Sequence, residues 1–228
     1  MKKKITFITT FITLLCLCTT AFAHGVDDKT RIFLMDNSGS AFIPFLYIGA
    51  KHMITGYDHL LFLVGVIFFL YKPKDILLYV SMFTIGHSIT LLLGVLFSLH
   101  VNAYLIDAII ALSIVYKGFD NLGGFQKYFK FQPNNKIAVL IFGLFHGLGL
   151  ATKLQEFNFS KEGLLTNLIG FNIGVEIGQF IALLYVLIII SIWRKYKSFT
   201  QFSAITNIAL IIAGFALMIF QLKGFFNA

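Results

Sequence analysis

The feature that most constrains this chain is a recurrence: apolar stretches long enough to cross a membrane, separated by short charged or polar breaks. A helix needs about 20 residues to span a hydrocarbon core of ~30 Å. The pattern predicts six spans, at about 55–71, 76–99, 104–117, 137–151, 168–193 and 204–222. The fourth is short and glycine-rich, and is expected to be a thin or partly broken span. Ahead of the first, residues 41–51 are expected to lie along the outer interface. A continuous helix over 42–71 would be about 45 Å long, so a break is expected near Gly56. Composition agrees with lipid as the solvent: of 228 residues, 58% are hydrophobic and 12% charged, too little charge to cover a soluble domain. The fold class expected is an all-α integral membrane protein, a bundle of about six transmembrane helices.

Residues 1–23 read as a cleaved signal peptide. Lys2, Lys3 and Lys4 open it, an apolar run from Ile5 to Cys18 follows, and Ala21-Phe22-Ala23 gives a small-residue cleavage site. The alternative is an uncleaved first helix. Leucines precede both Cys16 and Cys18, which argues against a lipoprotein signal. With both cysteines in this segment, the mature chain would hold neither disulfides nor thiolate metal ligands. Cleavage would leave 24–40 as a periplasmic segment and 41–228 as the membrane domain.

Charge sets the orientation. A formal +8 could invite nucleic acid, but the basic residues sit between apolar runs and form no patch. With the mature N-terminus outside, Lys72, Lys74, Lys117, Lys127, Lys130, Lys136, Arg194, Lys195 and Lys197 fall in cytoplasmic loops, and Lys153 and Lys161 in external ones. That asymmetry fits the positive-inside rule and a bacterial inner membrane. Small residues recur every fourth position as Gly86-Thr90-Gly94, Gly143-Gly147-Ala151 and Gly170-Gly174-Gly178. Such stripes let helix backbones approach closely in lipid.

The chemistry lies in ionisable groups within or beside these spans: His52, Asp58, His59, His87, Asp107, His146 and Glu176. Each costs roughly 2.5–3.5 kcal/mol at mid-membrane on insertion scales, so a cluster must solvate itself, face water or bind an ion. A lone polar residue near a helix end is the plainer reading of any one of them. His52 and His59 share a helical face, about 10.5 Å apart at Cα in a straight helix. A break at Gly56 would bring them together, with Asp58 orienting an imidazole. Ser81, Thr84, His87 and Ser88 form a polar stripe on the second span, and Asn172, Glu176 and Gln179 share a face about 200° from the glycine stripe of the fifth. The groups are expected to converge on a cavity open to the periplasm. Imidazole and carboxylate donors suit Ni²⁺, Co²⁺, Zn²⁺ or Fe²⁺ better than Cu⁺ or Mg²⁺.

At these residues the chain resembles the HupE/UreJ family of bacterial membrane proteins. The likeness rests on His52 through His59, on Phe83-Thr84-Ile85-Gly86-His87-Ser88-Ile89-Thr90, on Phe142-Gly143-Leu144-Phe145-His146-Gly147 and on Phe171 through Gln179. The resemblance implies a secondary permease for nickel or cobalt, often linked to hydrogenase or urease maturation. Nickel-associated members typically follow Phe-His-Gly with a second His and then a Glu on the same helix. Here those positions hold Leu150 and Lys153, so the chain resembles a second branch of the family.

Three functions stay open at this point. One is uptake of a divalent transition-metal cation, with His52, Asp58, His59, His87, His146 and Glu176 as ligands and Ser88, Asn172 and Gln179 in support. Another is an intramembrane metallohydrolase, with Zn²⁺ on three histidines, Asp58 or Glu176 as base and Ser88 helping to hold a carbonyl. The third is a non-catalytic membrane partner whose polar groups pack helices. The balance favours a transporter over an enzyme, with the bilayer and a metal cation as partners and homo-oligomers left open. A free N-terminal His24 would also offer an amine and an imidazole to Cu²⁺.

Overall fold

The computed structural model describes residues 39–155 and 163–227. The signal segment and almost all of 24–40, His24 included, lie outside them. The described residues form helices and connecting turns, in the order α1 (Phe42–Thr55), α2 (Tyr57–Ile67), α3 (Pro73–Leu96), α4 (Ala103–Asn121), a π-helical turn (Phe125–Phe129), α5 (Asn135–Gln155), α6 (Leu164–Trp193) and α7 (Lys197–Asn227). Local signals set several of these ends. Pro73 opens α3, where its missing N–H costs nothing. Asn102 caps α4 by accepting from the Leu105 N–H at 3.2 Å. Gly163, at φ 78°, turns the chain into α6.

Four of these helices, α3, α5, α6 and α7, are long and apolar enough to cross a membrane, and the protein is a membrane protein. The helix expected to be thin or broken, α5, is continuous over 21 residues. Its glycines serve close packing instead. A Cβ at Gly143 or Gly147 would collide with the backbone carbonyl of Phe83 or His87 on α3. Likewise, one at Gly174 would strike the Leu46 carbonyl on α1, and one at Gly49 the Phe171 carbonyl on α6. The stripes read from sequence are therefore the seams of two helix pairs, α3 with α5 and α1 with α6.

Within both pairs residue numbers rise together (83 beside 143, 87 beside 147; 46 beside 174, 50 beside 178), so the partners run parallel. A third pair, α4 with α7, is antiparallel, with Gly118 against Ile211 and Gly224 against Tyr104. The short helix α2 sits among them. Its buried Phe62, Leu63, Val66 and Ile67 join one hydrophobic core with Phe83, Ile114, Val139, Val186 and Leu210.

The segment 41–51 does not lie apart along an interface. It belongs to α1 and packs lengthwise against α6, because the glycine stripe of α6 offers a groove for it. The expected break is present at Gly56, whose backbone is extended at φ −72°, ψ 104°. Beyond it α2 continues until Arg194, at the far end of α6, donates to the carbonyls of Ile67 and Phe68, both at 2.6 Å. These bonds satisfy carbonyls that a helix C-terminus leaves without partners. Together α1 and α2 run beside α6 from its Gly163 end to its Arg194 end.

Two lysines differ from their expected places. Lys117 sits inside α4 rather than in a loop, 4% exposed, with Nζ 2.6 Å from Asp120. Lys153 sits in the last turn of α5, with Nζ 2.6 Å from Asp107 on α4. Each has a buried carboxylate within reach, which draws it out of solvent.

Candidate metal centre

The break at Gly56 builds the centre. His52 ends on the last turn of α1 while Asp58 and His59 open α2, and the bend brings the two imidazoles to a centroid separation of 5.2 Å. His59 is the hub. Its ring lies 4.8 Å from that of His146 on α5 and 6.2 Å from that of His87 on α3. Asp58 and His59 are buried, and His87 and His146 have no exposed surface at all. The ligand atoms of Asp58, His59 and His146 lie within 4.8 Å of one another. Four nitrogen or oxygen donors at ~2.1 Å around a metal stand about 3.4 Å apart, so small rotamer adjustments would close this group on an ion.

Hydrogen bonding fixes how two of the rings present themselves. His146 Nδ1 lies 2.8 Å from the Phe142 carbonyl. A carbonyl can only accept, so Nδ1 donates and the lone pair of the neutral ring sits on Nε2. That Nε2 is buried with no hydrogen-bond partner among the described residues. His59 Nδ1 lies 3.1 Å from Asp58 Oδ1, the carboxylate–imidazole contact that orients metal-ligating histidines. His87 has no partner among the described residues on either nitrogen. Its ring stacks on Phe83 and faces His59 edge-on. A buried imidazole left this way costs about 1–3 kcal/mol per unsatisfied group, a penalty that a bound ion or water would relieve.

The supporting polar residues act between helices. Ser88 Oγ donates to Asn172 Oδ1 at 3.1 Å, and Thr84 Oγ1 to Gln179 Oε1 at 2.9 Å. They join α3 to α6 where few other contacts do. Gln179 also lines a cavity with His59, Phe83, Tyr79, Val139 and Ala182. The water-accessible interior of this cavity is about 20 Å³, room for about one water molecule. It lies on the Arg194 side of His59, not on the side expected from the sequence. On the other side the Phe171 ring stands 6.2 Å from that of His52.

Glu176 stands apart. Its side chain is exposed, and it does not join the group formed by Asp58, His59 and His146. The reason is rotational: it sits about 40° around α6 from Asn172 and 60° from Gln179, enough to turn it out of the α3–α6 contact. Asp107 and Lys153, by contrast, border the centre. Asp107 Oδ1 faces the backbone of Gly149, where a Cβ would lie 3.7 Å from it, one turn along α5 from His146. Sequence reading noticed Asp107 but not its pairing. It also missed a network at the Arg194 end, where Asp120 receives Lys117, Asn135 and Gln132. The available signal was Lys117 three residues before Asp120, an ion-pair spacing on a helix.

A comparison with curated proteins and one with solved structures found no match. A comparison with protein families matched the HupE / UreJ protein family over residues 28–228. That span takes in every helix and every residue of the centre described above, and the chain belongs to the HupE/UreJ family.

Proposed function

We propose that the chain is a secondary permease for a divalent transition-metal cation, with nickel or cobalt as the first candidates, in the bacterial inner membrane. The observation that carries this reading is the convergence of His59, His87 and His146 from three helices on one buried point, with Asp58 beside them. The family supports it, since HupE/UreJ membership is associated with nickel and cobalt transport. The metal would be cargo, held in passing by His52, Asp58, His59, His87 and His146. Glu176 is too exposed to be placed with them and is proposed only as a group on the route.

A discontinuous helix suits this role. The C-terminal carbonyls of α1 form the negative end of its dipole and point toward the bend, where a cation would sit. An inside-negative potential of 100 mV supplies about 4.6 kcal/mol to a divalent ion, so inward movement needs no nucleotide. Transport is favoured over hydrolysis because the Ser88 hydroxyl, wanted for holding a carbonyl, donates to Asn172 instead.

The topology belonging to this proposal has six spans: α1 with α2 as one broken span, then α3, α4, α5, α6 and α7. Alternating spans require α1 to run parallel to α6 and α3 parallel to α5, as their seams do. A signal peptide over 1–23, a periplasmic segment over 24–40 and a membrane domain over 41–228 complete it. The test is uptake of Ni²⁺ or Co²⁺ into proteoliposomes carrying the purified protein under an inside-negative potential. Saturable uptake abolished by His59→Ala supports the reading; no uptake of any divalent transition metal overturns it.

A further inference from the structure

Helix α4 carries two carboxylates, one toward each end of the bundle, and each is held by a lysine. Asp107 lies in the second turn of α4 and takes Lys153 Nζ at 2.6 Å. Asp120 lies in the last turn and takes Lys117 Nζ at 2.6 Å. Thirteen residues of helix place them about 20 Å apart along the axis, with the histidine centre at intermediate depth. Both pairs are nearly enclosed: the side chains of Lys117, Asp120 and Asp107 are 5%, 6% and 6% exposed, and that of Lys153 is 14% exposed.

Each pair borders the path to the imidazoles. On the Gly163 side, Asp107 Oδ1 is buried and has no hydrogen-bond partner among the described residues. It faces the bare backbone of Gly149, where a Cβ would lie 3.7 Å from it, one turn along α5 from His146. On the Arg194 side, the cavity beneath His59 is lined by Val139 on α5, one turn from Asn135, which donates to Asp120. Asp120 differs from Asp107 in being fully engaged. Its Oδ2 takes Lys117 and Asn135 (2.8 Å), and its Oδ1 takes Gln132 (2.8 Å).

We propose that Lys153 and Lys117 are tethered stand-in cations. Each neutralises the carboxylate at one mouth of the route when no ion is there, and each must be displaced for a divalent ion to pass. The inference rests on the permease reading and adds to it the residues that admit and release the ion. Its physical basis is that a buried carboxylate cannot be left bare in a low-dielectric interior, so the lysine holds the place between ions. A divalent ion competes for that carboxylate better than a monovalent one, because its charge is doubled. The free Oδ1 makes Asp107 the receptive mouth, and the saturated Asp120 is the closed one.

The experiment is the initial rate of Ni²⁺ uptake into proteoliposomes against Ni²⁺ concentration, for the full-length protein and its lysine variants. Lys153→Gln removes the competing cation at the entry, so KM falls about tenfold with the maximal rate within about twofold of wild type. Lys117→Gln leaves an exit carboxylate that holds the ion, so the maximal rate falls about tenfold with KM unchanged. Lys153→Arg and Lys117→Arg keep the charge and restore wild-type behaviour. Should Lys117→Gln not fold, the pair Lys117→Gln with Asp120→Asn buries no lone charge and removes the carboxylate that would hold the ion, so its maximal rate must stay within about twofold of wild type at unchanged KM, and a loss of about tenfold there overturns the inference. Wild-type values in both glutamine variants, or equal loss of rate at both positions with no change in KM, overturns this inference and leaves the permease reading standing. Absence of uptake by the wild type overturns both.

Discussion

The histidine centre and the Asp120 network are both buried and polar, yet they are finished to different degrees. Around Asp120 the accounts close: Lys117, Asn135 and Gln132 fill both oxygens, Tyr116 donates to Asn135 at 3.2 Å, and Asn121 joins Gly65 to Asn207 with two bonds of 2.8 Å. Around His59 they do not. His87 offers two nitrogens and His146 one, with no hydrogen-bond partner among the described residues. The first region is complete without a ligand and ties the ends of α2, α4, α5 and α7 together. The second presents imidazole nitrogens that no group among the described residues takes. Burial and polarity alone do not distinguish the two regions; donor atoms without a protein partner inside a packed wall do.

The comparison breaks if the two regions respond alike to mutation. Asp120→Ala strands the buried ammonium of Lys117, and the expected loss is about 3–5 kcal/mol of stability, read by denaturant-monitored unfolding in detergent. Next in size is the response to metal. At a hundredfold excess over Kd, Ni²⁺ or Co²⁺ should stabilise the wild type by about 2.7 kcal/mol, seen as a higher melting temperature. His59→Ala and His146→Ala should lose that gain, Asp120→Asn should keep it, and a chelator should reverse it. A packing control follows. Gly147→Ala pushes a methyl into the His87 carbonyl and the Thr90 hydroxyl, at an expected cost of about 1–3 kcal/mol in the same unfolding assay. The smallest effect on stability is expected from His87→Leu, within about 1 kcal/mol of wild type and of either sign, because no hydrogen bond is lost. Its metal-dependent stabilisation should nonetheless fall, and full retention would remove His87 from the centre.

Much of this was legible in the sequence because membranes make the code simple. Apolar runs gave the helices α3, α5, α6 and α7 to within a few residues at most ends, and the glycine stripes gave their seams. The break at Gly56 followed from length alone. What was hidden depends on rotation and pairing. Glu176 shares a helical face with Asn172 and Gln179 on a wheel, but a wheel does not say where the neighbouring helix ends its contact. Lys117 and Lys153 were read as loop charges because they stand at and beyond the ends of their apolar runs; the positions of Asp120 and Asp107 draw them into the helices. The segment 41–51 lies ahead of the first apolar run and so was placed at the interface, until the glycine groove of α6 supplied a reason to enter the bundle.

The bend at Gly56 has a bearing on how the centre can be altered. Asp58 and His59 ride on an eleven-residue helix, anchored at its far end by Arg194. His87 and His146 ride on long unbroken ones. An extra residue inserted at the bend would re-aim His52 relative to that anchored pair by about 100° and leave His87 and His146 where they are. The phase of His52 against Asp58 and His59 is therefore set at a single joint, and changing it strains the α1–α6 seam, where Gly49 meets the Phe171 carbonyl.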